Sequence, residues 1–111
     1  MHLCVDNKVF HEDQYVAVGQ QVTIDCHASD LSKPVLWDYK RSEEQNVRNV
    51  YDKVLINDYE RRCTIGHSSY DLTILRVELN DTGVYYCTEK RGFGTKHITK
   101  LYVTGIVQEY F

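Results

Sequence analysis

Short runs of alternating apolar and polar residues recur about every 8 to 12 positions along this chain, with polar turns between them. Two runs come first, Leu3 to Phe10 and Tyr15 to Val18, followed by a turn at Gly19 to Gln21. From Val22 to Cys26 the alternation is strict. Val22, Ile24 and Cys26 share one face and Thr23 and Asp25 the other, which is the period of two of a half-buried strand. Val35 to Lys40 forms the next run after Pro34, and Arg41 to Asn46 reads as a polar loop. Val47 to Ile56 predicts two short strands around an Asp52–Lys53 turn, and Arg61 to Ile65 predicts another strand. Leu72, Ile74 and Val77 supply a further inward face. Val84 to Lys90 and Thr95 to Val103 predict a hairpin around Arg91 to Gly94, where glycine permits positive φ. No long segment keeps a 3.6-residue period, so the chain is expected to be all-β, a sandwich or a barrel.

Length and composition narrow this. With 111 residues, 42% apolar and a net charge of −3, the chain supports one core. Residues 1–105 are expected to form a single domain and 106–111 a tail, either the start of a stalk or vector-derived. No stretch approaches the roughly 18 apolar residues of a membrane helix, and no leader follows Met1, so a secretion signal or membrane anchor is expected outside this sequence. The interspersed charge argues against a nucleic-acid partner. Nine tyrosines suit half-buried strands. Four cysteines point to an oxidising compartment but leave three pairings open.

Cys26 lies in one alternating run and Trp37 in the next. Cys87 ends the run Asp81-Thr82-Gly83-Val84-Tyr85-Tyr86-Cys87. The order Cys, Trp, Cys, with a tyrosine two residues before the second cysteine, is that of an immunoglobulin sandwich. From Val5 to Val103 the chain resembles a V-set immunoglobulin domain. Gly19 to Cys26 looks like the family's strand B, Leu72 to Ile74 like strand E and Asp81 to Cys87 like strand F. The resemblance implies a two-sheet Greek-key sandwich with strands C′ and C″ between Trp37 and Arg62. It implies a Cys26–Cys87 bridge between the sheets, which by closing a loop of this length stabilises by roughly 2–4 kcal/mol. Trp37 would pack on that bridge, Tyr85 would form a tyrosine corner, and Asp81 would pair with Arg62 (Arg61 if the loop is one residue shorter). Strand G departs from antigen-receptor domains: Thr95 to Ile98 stand where those carry Phe-Gly-x-Gly, so Gly92 to Thr95 is either a displaced remnant of that motif or a plain hairpin.

Cys4 and Cys63 are left. The family places strands A and D at opposite edges of one sheet, too far apart for a bridge without an unusual path for strand A. Otherwise Cys63 is a small buried hydrophobe and Cys4 is exposed, free or intermolecular. Asn80-Asp81-Thr82 is a glycosylation sequon on the turn before strand F, with Asn80 either modified or simply a turn residue. His2, His11, His27, His67 and His97 show no metal-ligand spacing, and no nucleophile has a base at a meaningful distance along the chain. Neither a catalytic site, a metal nor a cofactor is expected.

Recognition remains. V-type domains bind through their end loops and through the outer face of the sheet holding strands G, F, C and C′. Alternation turns Leu36, Asp38 and Lys40 outward on strand C. It does the same for Tyr86, Thr88 and Lys90 on strand F and for Ile98, Lys100 and Tyr102 on strand G. Tyr86, Leu36 and Ile98 would form the centre of a contact and the lysines its rim. Phe93, at a hairpin tip, is the best single loop anchor. The resemblance implies an extracellular or cell-surface, non-catalytic module of an immune-type receptor or co-receptor. It would bind a protein ligand on a cell surface, or itself as a homodimer through the same face. The alternatives are a divergent antigen-receptor-like variable domain and an adhesion module or viral decoy.

Overall fold

A computed structural model describes residues 9–41 and 46–105 of the chain. Among these described residues nine strands form two sheets. β1 is Val9–Ala17, β2 Val22–Ile24, β3 Leu36–Lys40, β4 Val47–Asp52, β5 Val54–Leu55, β6 Cys63–Ile65, β7 Leu72–Ile74, β8 Gly83–Thr88 and β9 Lys96–Thr104. The larger sheet runs β1-β9-β8-β3-β4-β5 and the smaller β2-β7-β6. Every pairing is antiparallel except β1 with β9, which is parallel. In immunoglobulin lettering β2, β7 and β6 are B, E and D, and β9, β8 and β3 are G, F and C, with β4 and β5 extending the sheet beyond C. The molecule is an all-β immunoglobulin sandwich.

The strands form where the alternation is strictest. Val22 and Ile24 face the core, and between them the Thr23 hydroxyl meets Thr73 across the pair at 2.8 Å. Trp37 and Tyr39 are buried on β3, Tyr85 and Cys87 on β8, and Leu72 and Ile74 on β7. The pairing of β3 with β4 shifts register between Trp37 and Asp38, a bulge that coincides with Val50 turning fully inward. Cys26 and Cys87 form a disulfide across the sheets, with Cα atoms 5.5 Å apart. Trp37 pairs in register with Cys87, and its indole N–H donates to the Tyr70 carbonyl at 2.7 Å. The indole is 1% exposed, so that one hydrogen bond satisfies its only polar atom inside the core.

Four local expectations are corrected. From Val9 on, the two opening runs are bridged by one nine-residue strand, Val9–Ala17, which lies on the larger sheet beside β9, not on the sheet that holds strand D; residues 3–8 lie outside the described residues. Parallel pairing with β9 gives all nine residues a partner strand, more than an edge place beside the three-residue β2 offers. Arg61 and Arg62 belong to a helical turn, α1 (Tyr59–Arg62), and the strand starts at Cys63. Lys90 is not on strand F: β8 ends at Thr88, and Lys90 sits in the following loop with φ 54°. Thr88, on the outer face by parity, is buried between its register neighbours Leu36 and Lys96. Cys63 is a buried free thiol, with burial pushing its pKa up to about 11; Cys4 lies outside the described residues. So do residues 106–111 and most of the loop after β3.

Candidate interaction face and its supporting ends

The outer face of β9, β8 and β3 is built in cross-strand rows. Asp38 pairs with Tyr86 and Tyr86 with Ile98; in the rows on either side, Lys40 meets Val84 and Val84 meets Lys100, and Leu36 meets Thr88 and Thr88 meets Lys96. Strand alternation puts these side chains on one surface, where Leu36, Asp38, Lys40, Tyr86 and Ile98 are all half-buried. The Lys96 ammonium lies 5.5 Å from the centre of the Tyr86 ring, a cation–π contact that orients both. Burial raises the Asp38 carboxyl above its ordinary range, Lys96 only partly offsetting it. Asp38, Lys40, Val47, Tyr86, Thr88 and Lys96 surround a shallow depression of about 290 Å³. Further along, Lys100 sits 6.0 Å over Tyr102, whose ring stacks on Tyr15 of β1 at 4.8 Å.

One end of the sandwich closes on itself. Tyr85 donates its hydroxyl to the Asp81 carbonyl at 2.7 Å, and Arg62 forks onto the Asp81 carboxylate at 2.6 and 3.0 Å. The same carboxylate accepts the Glu78 amide at 2.7 Å. These hydrogen bonds to Asp81 hold the Arg62 guanidinium more firmly protonated than usual. Tyr39, one strand over, donates to the Thr82 carbonyl at 2.6 Å and packs its ring 4.9 Å from Tyr85. A Cβ on Gly83 would lie 2.6 Å from the Tyr39 ring, which is why glycine stands there. Asn80 is exposed on the 3-10 turn Leu79–Asp81, beside buried Asp81.

The opposite end carries the loop between β2 and β3 and the loop between β8 and β9. Glu89 is 2% exposed, yet its carboxylate meets His97 Nε2 at 2.7 Å and accepts the Ser29 and Asp30 amides at 3.2 Å each. Burial alone would push Glu89 upward; the hydrogen bonds from His97, Ser29 and Asp30 outweigh it and hold its carboxyl below the usual value. The Arg91 amide then donates to the Pro34 carbonyl at 2.8 Å, so the two loops form one body. Gly92 takes φ 98° and packs on Leu36, while Lys90 and Arg91 are left-handed without being glycine. Gly94, expected to share the positive-φ role, does not. Sequence reasoning passed over Glu89, His97 and Tyr39. The signal was there: alternation through Tyr85 and Cys87 puts Glu89 inward, and through Leu101 and Thr99 it puts His97 inward.

Among the described residues, no three His, Cys, Asp or Glu side chains are grouped to hold a metal ion, and no helix is long and apolar enough to cross a membrane. A cleft of about 480 Å³ lies over the Arg62–Asp81 end, but Asp81 occupies Arg62 and Asp58 pairs with Arg61 at 3.4 Å.

A family description for the immunoglobulin domain matches residues 8–90. The chain belongs to the immunoglobulin-domain family. Among its relatives is Roundabout homolog 1, 31% identical over 99 residues in both Mus musculus and Homo sapiens. That alignment covers 87% of this chain and 6% of the relative. Peroxidasin homolog pxn-2 of Caenorhabditis elegans is 28% identical over 94 residues, covering 84% of this chain and 6% of that protein. This immunoglobulin domain therefore spans a small fraction of the curated relatives it matches. It joins the family's typically non-catalytic sandwich to a face of mixed aromatic, aliphatic and cationic side chains.

Proposed function

We propose that this domain is a variable-type, extracellular recognition module of an immune-type cell-surface receptor or co-receptor, binding a protein ligand through the outer face of β9, β8, β3 and β4. The variable type is supported by β4 and β5, which extend the G-F-C sheet as strands C′ and C″ do. An extracellular setting is supported by the Cys26–Cys87 disulfide, a bond that persists in oxidising compartments. Asn80, exposed on its turn, is the proposed glycan site, at the end away from the β8–β9 loop.

One observation carries the binding reading. Tyr86 and Ile98 sit half-exposed in a single register row at the middle of the face, with Asp38 beside them and lysines around them. Interfaces favour an aromatic and aliphatic centre with a charged rim. On this face the cations Lys40, Lys96 and Lys100 are matched by Asp38, Asp52 of β4 and the edge residue Asp13. Charge of both signs around an apolar centre suits either a protein ligand or a second copy of the same face. Asp38, Lys40 and Lys96 set polarity at the rim, and Lys90, in the loop, extends it toward Phe93.

Sedimentation equilibrium tests the homodimer, and a binding screen against intact cells tests the protein ligand. Tyr86→Ala is expected to weaken cell binding about tenfold or more, as hot-spot aromatics do, with the melting temperature nearly unchanged. Unaltered binding in Tyr86→Ala and Ile98→Ala together would remove the site from this face.

A further inference from the structure

A second surface lies at the end of the sandwich. Phe93 is 89% exposed on the loop between β8 and β9, and Leu31, on the neighbouring loop, is 44% exposed. Over residues 27–35 and 88–96 the cations are Lys33, Lys90, Arg91 and Lys96, all exposed. The acids there are Glu89, buried against His97, and Asp30, whose carboxylate accepts the Ser32 amide at 3.0 Å and hydroxyl at 2.6 Å. Asp25 and Asp71 line the pocket beside Leu31, and Lys96 lies over Tyr86 on the sheet face, so the cationic end of the tip is Phe93 with Lys33, Lys90 and Arg91, on a chain whose net charge is −3.

The loop is held in this shape. The Glu89 amide donates to Thr95 at 2.9 Å, the Gly94 amide to Glu89 at 2.8 Å, and the Arg91 amide reaches across to Pro34 at 2.8 Å. Lys90 and Arg91 take left-handed backbone at φ 54° and 58°, a conformation non-glycine residues adopt only when their surroundings impose it. A phenylalanine on a slack loop folds back onto the protein; here the backbone is pinned on both sides and the ring stays in water.

Shape separates two classes of partner. A protein contact needs a broad complementary patch with an apolar centre, and on this molecule that feature is the sheet face around Tyr86. The loop end instead offers a protruding ring on a loop that carries Lys90 and Arg91. A lipid interface deforms around such a protrusion and, when anionic, attracts those cations. We infer that this tip docks on an anionic lipid bilayer, with Phe93 entering the headgroup–acyl boundary and Lys33, Lys90 and Arg91 meeting lipid phosphates. The choice of lipid over protein at the tip rests on the protein-binding reading of the sheet face, and Tyr86→Ala, which is expected to weaken cell binding but not vesicle binding, keeps the failure of one distinguishable from the failure of the other.

Co-sedimentation with phosphatidylcholine vesicles containing about 30% phosphatidylserine, against pure phosphatidylcholine, tests the inference. Binding is expected to the anionic vesicles only, and to be lost at about 0.5 M salt. Phe93→Ala and the double variant Lys90→Glu/Arg91→Glu are each expected to lower it about tenfold, while Leu79→Ala, an exposed leucine at the other end, leaves it intact. A thermal melt of each variant separates loss of binding from loss of fold. Equal binding to neutral vesicles, no binding to either, or anionic binding that Phe93→Ala does not weaken overturns the inference. So does indifference to vesicles combined with Phe93-dependent cell binding that protease treatment abolishes, which would assign the tip to a protein.

Discussion

At the end closed by the Leu79–Asp81 turn, one carboxylate takes two guanidinium bonds from Arg62 and the Glu78 amide, and Tyr85 ties the same residue's carbonyl into the core. At the other end a carboxylate, Glu89, takes His97 and two loop amides. The chemistry is alike: a carboxylate out of water, satisfied by several donors. What the donors belong to differs. Arg62 and Glu78 flank strands of the smaller sheet, so the Asp81 cluster closes the sandwich at its base. Ser29 and Asp30 belong to a loop, so the Glu89 cluster fixes a protruding tip. The same kind of contact serves stability at one end and presentation at the other.

That contrast predicts unequal responses. The largest is expected for Asp81→Ala, which strands a half-buried guanidinium and an amide together. It should cost about 3 kcal/mol in urea unfolding with the disulfide intact, as breaking a buried pair does. Glu89→Gln should cost less, about 2 kcal/mol, because the amide keeps one acceptor oxygen. Its signature is local: faster amide exchange at Ser29 and Asp30, with β2, β7 and β8 still protected. If Glu89→Gln destabilises as much as Asp81→Ala and speeds exchange everywhere, the two ends do the same job.

Acid sharpens the difference further. Glu89 has a folded pKa below its unfolded value, so its contribution is complete above the ordinary glutamate range. It is lost as pH falls through the lower folded value. Stability of the wild type should fall through that acid window more than stability of Glu89→Gln. Asp38 behaves oppositely. Its pKa is raised, so ionising it costs the folded state, and Asp38→Asn should raise the melting temperature by a small margin at neutral pH. That gain should vanish in acid, where the carboxyl is already protonated. The smallest change is expected for Phe93→Ala, within about 0.5 kcal/mol of wild type, since a ring already in water loses little by removal. A larger loss would mean that the ring packs on its own loop.

The elements that sequence reasoning located are those whose burial repeats with period two. Alternation turns Val22 and Ile24 inward and the family resemblance does the same for Trp37, Tyr85 and Cys87, and the structure buries each of them. The face residues Leu36, Asp38, Tyr86 and Ile98 followed from the same parity. Lys90 did not, because alternation stops where β8 ends and the backbone turns left-handed. The helical turn Tyr59–Arg62 escaped for a similar reason: four residues are too few to display a 3.6-residue period. Glu89 and His97 had inward parity but opposite chemistry to a core, and only their meeting makes that burial tolerable.

By itself the sequence determined the all-β class, the inward set on each strand, and which residues could staple and pin the sandwich. These depend on local alternation and on residue types whose geometry allows few roles. The tertiary structure decided which sheet receives β1, which donors satisfy Glu89, and how far Phe93 stands from the protein. Each of those rests on contacts between segments far apart in the chain: β1 with β9, Ser29 with Glu89, Pro34 with Arg91. A local pattern fixes the direction a side chain takes from its strand, but whether it meets a partner or water there is set by what the rest of the chain brings alongside.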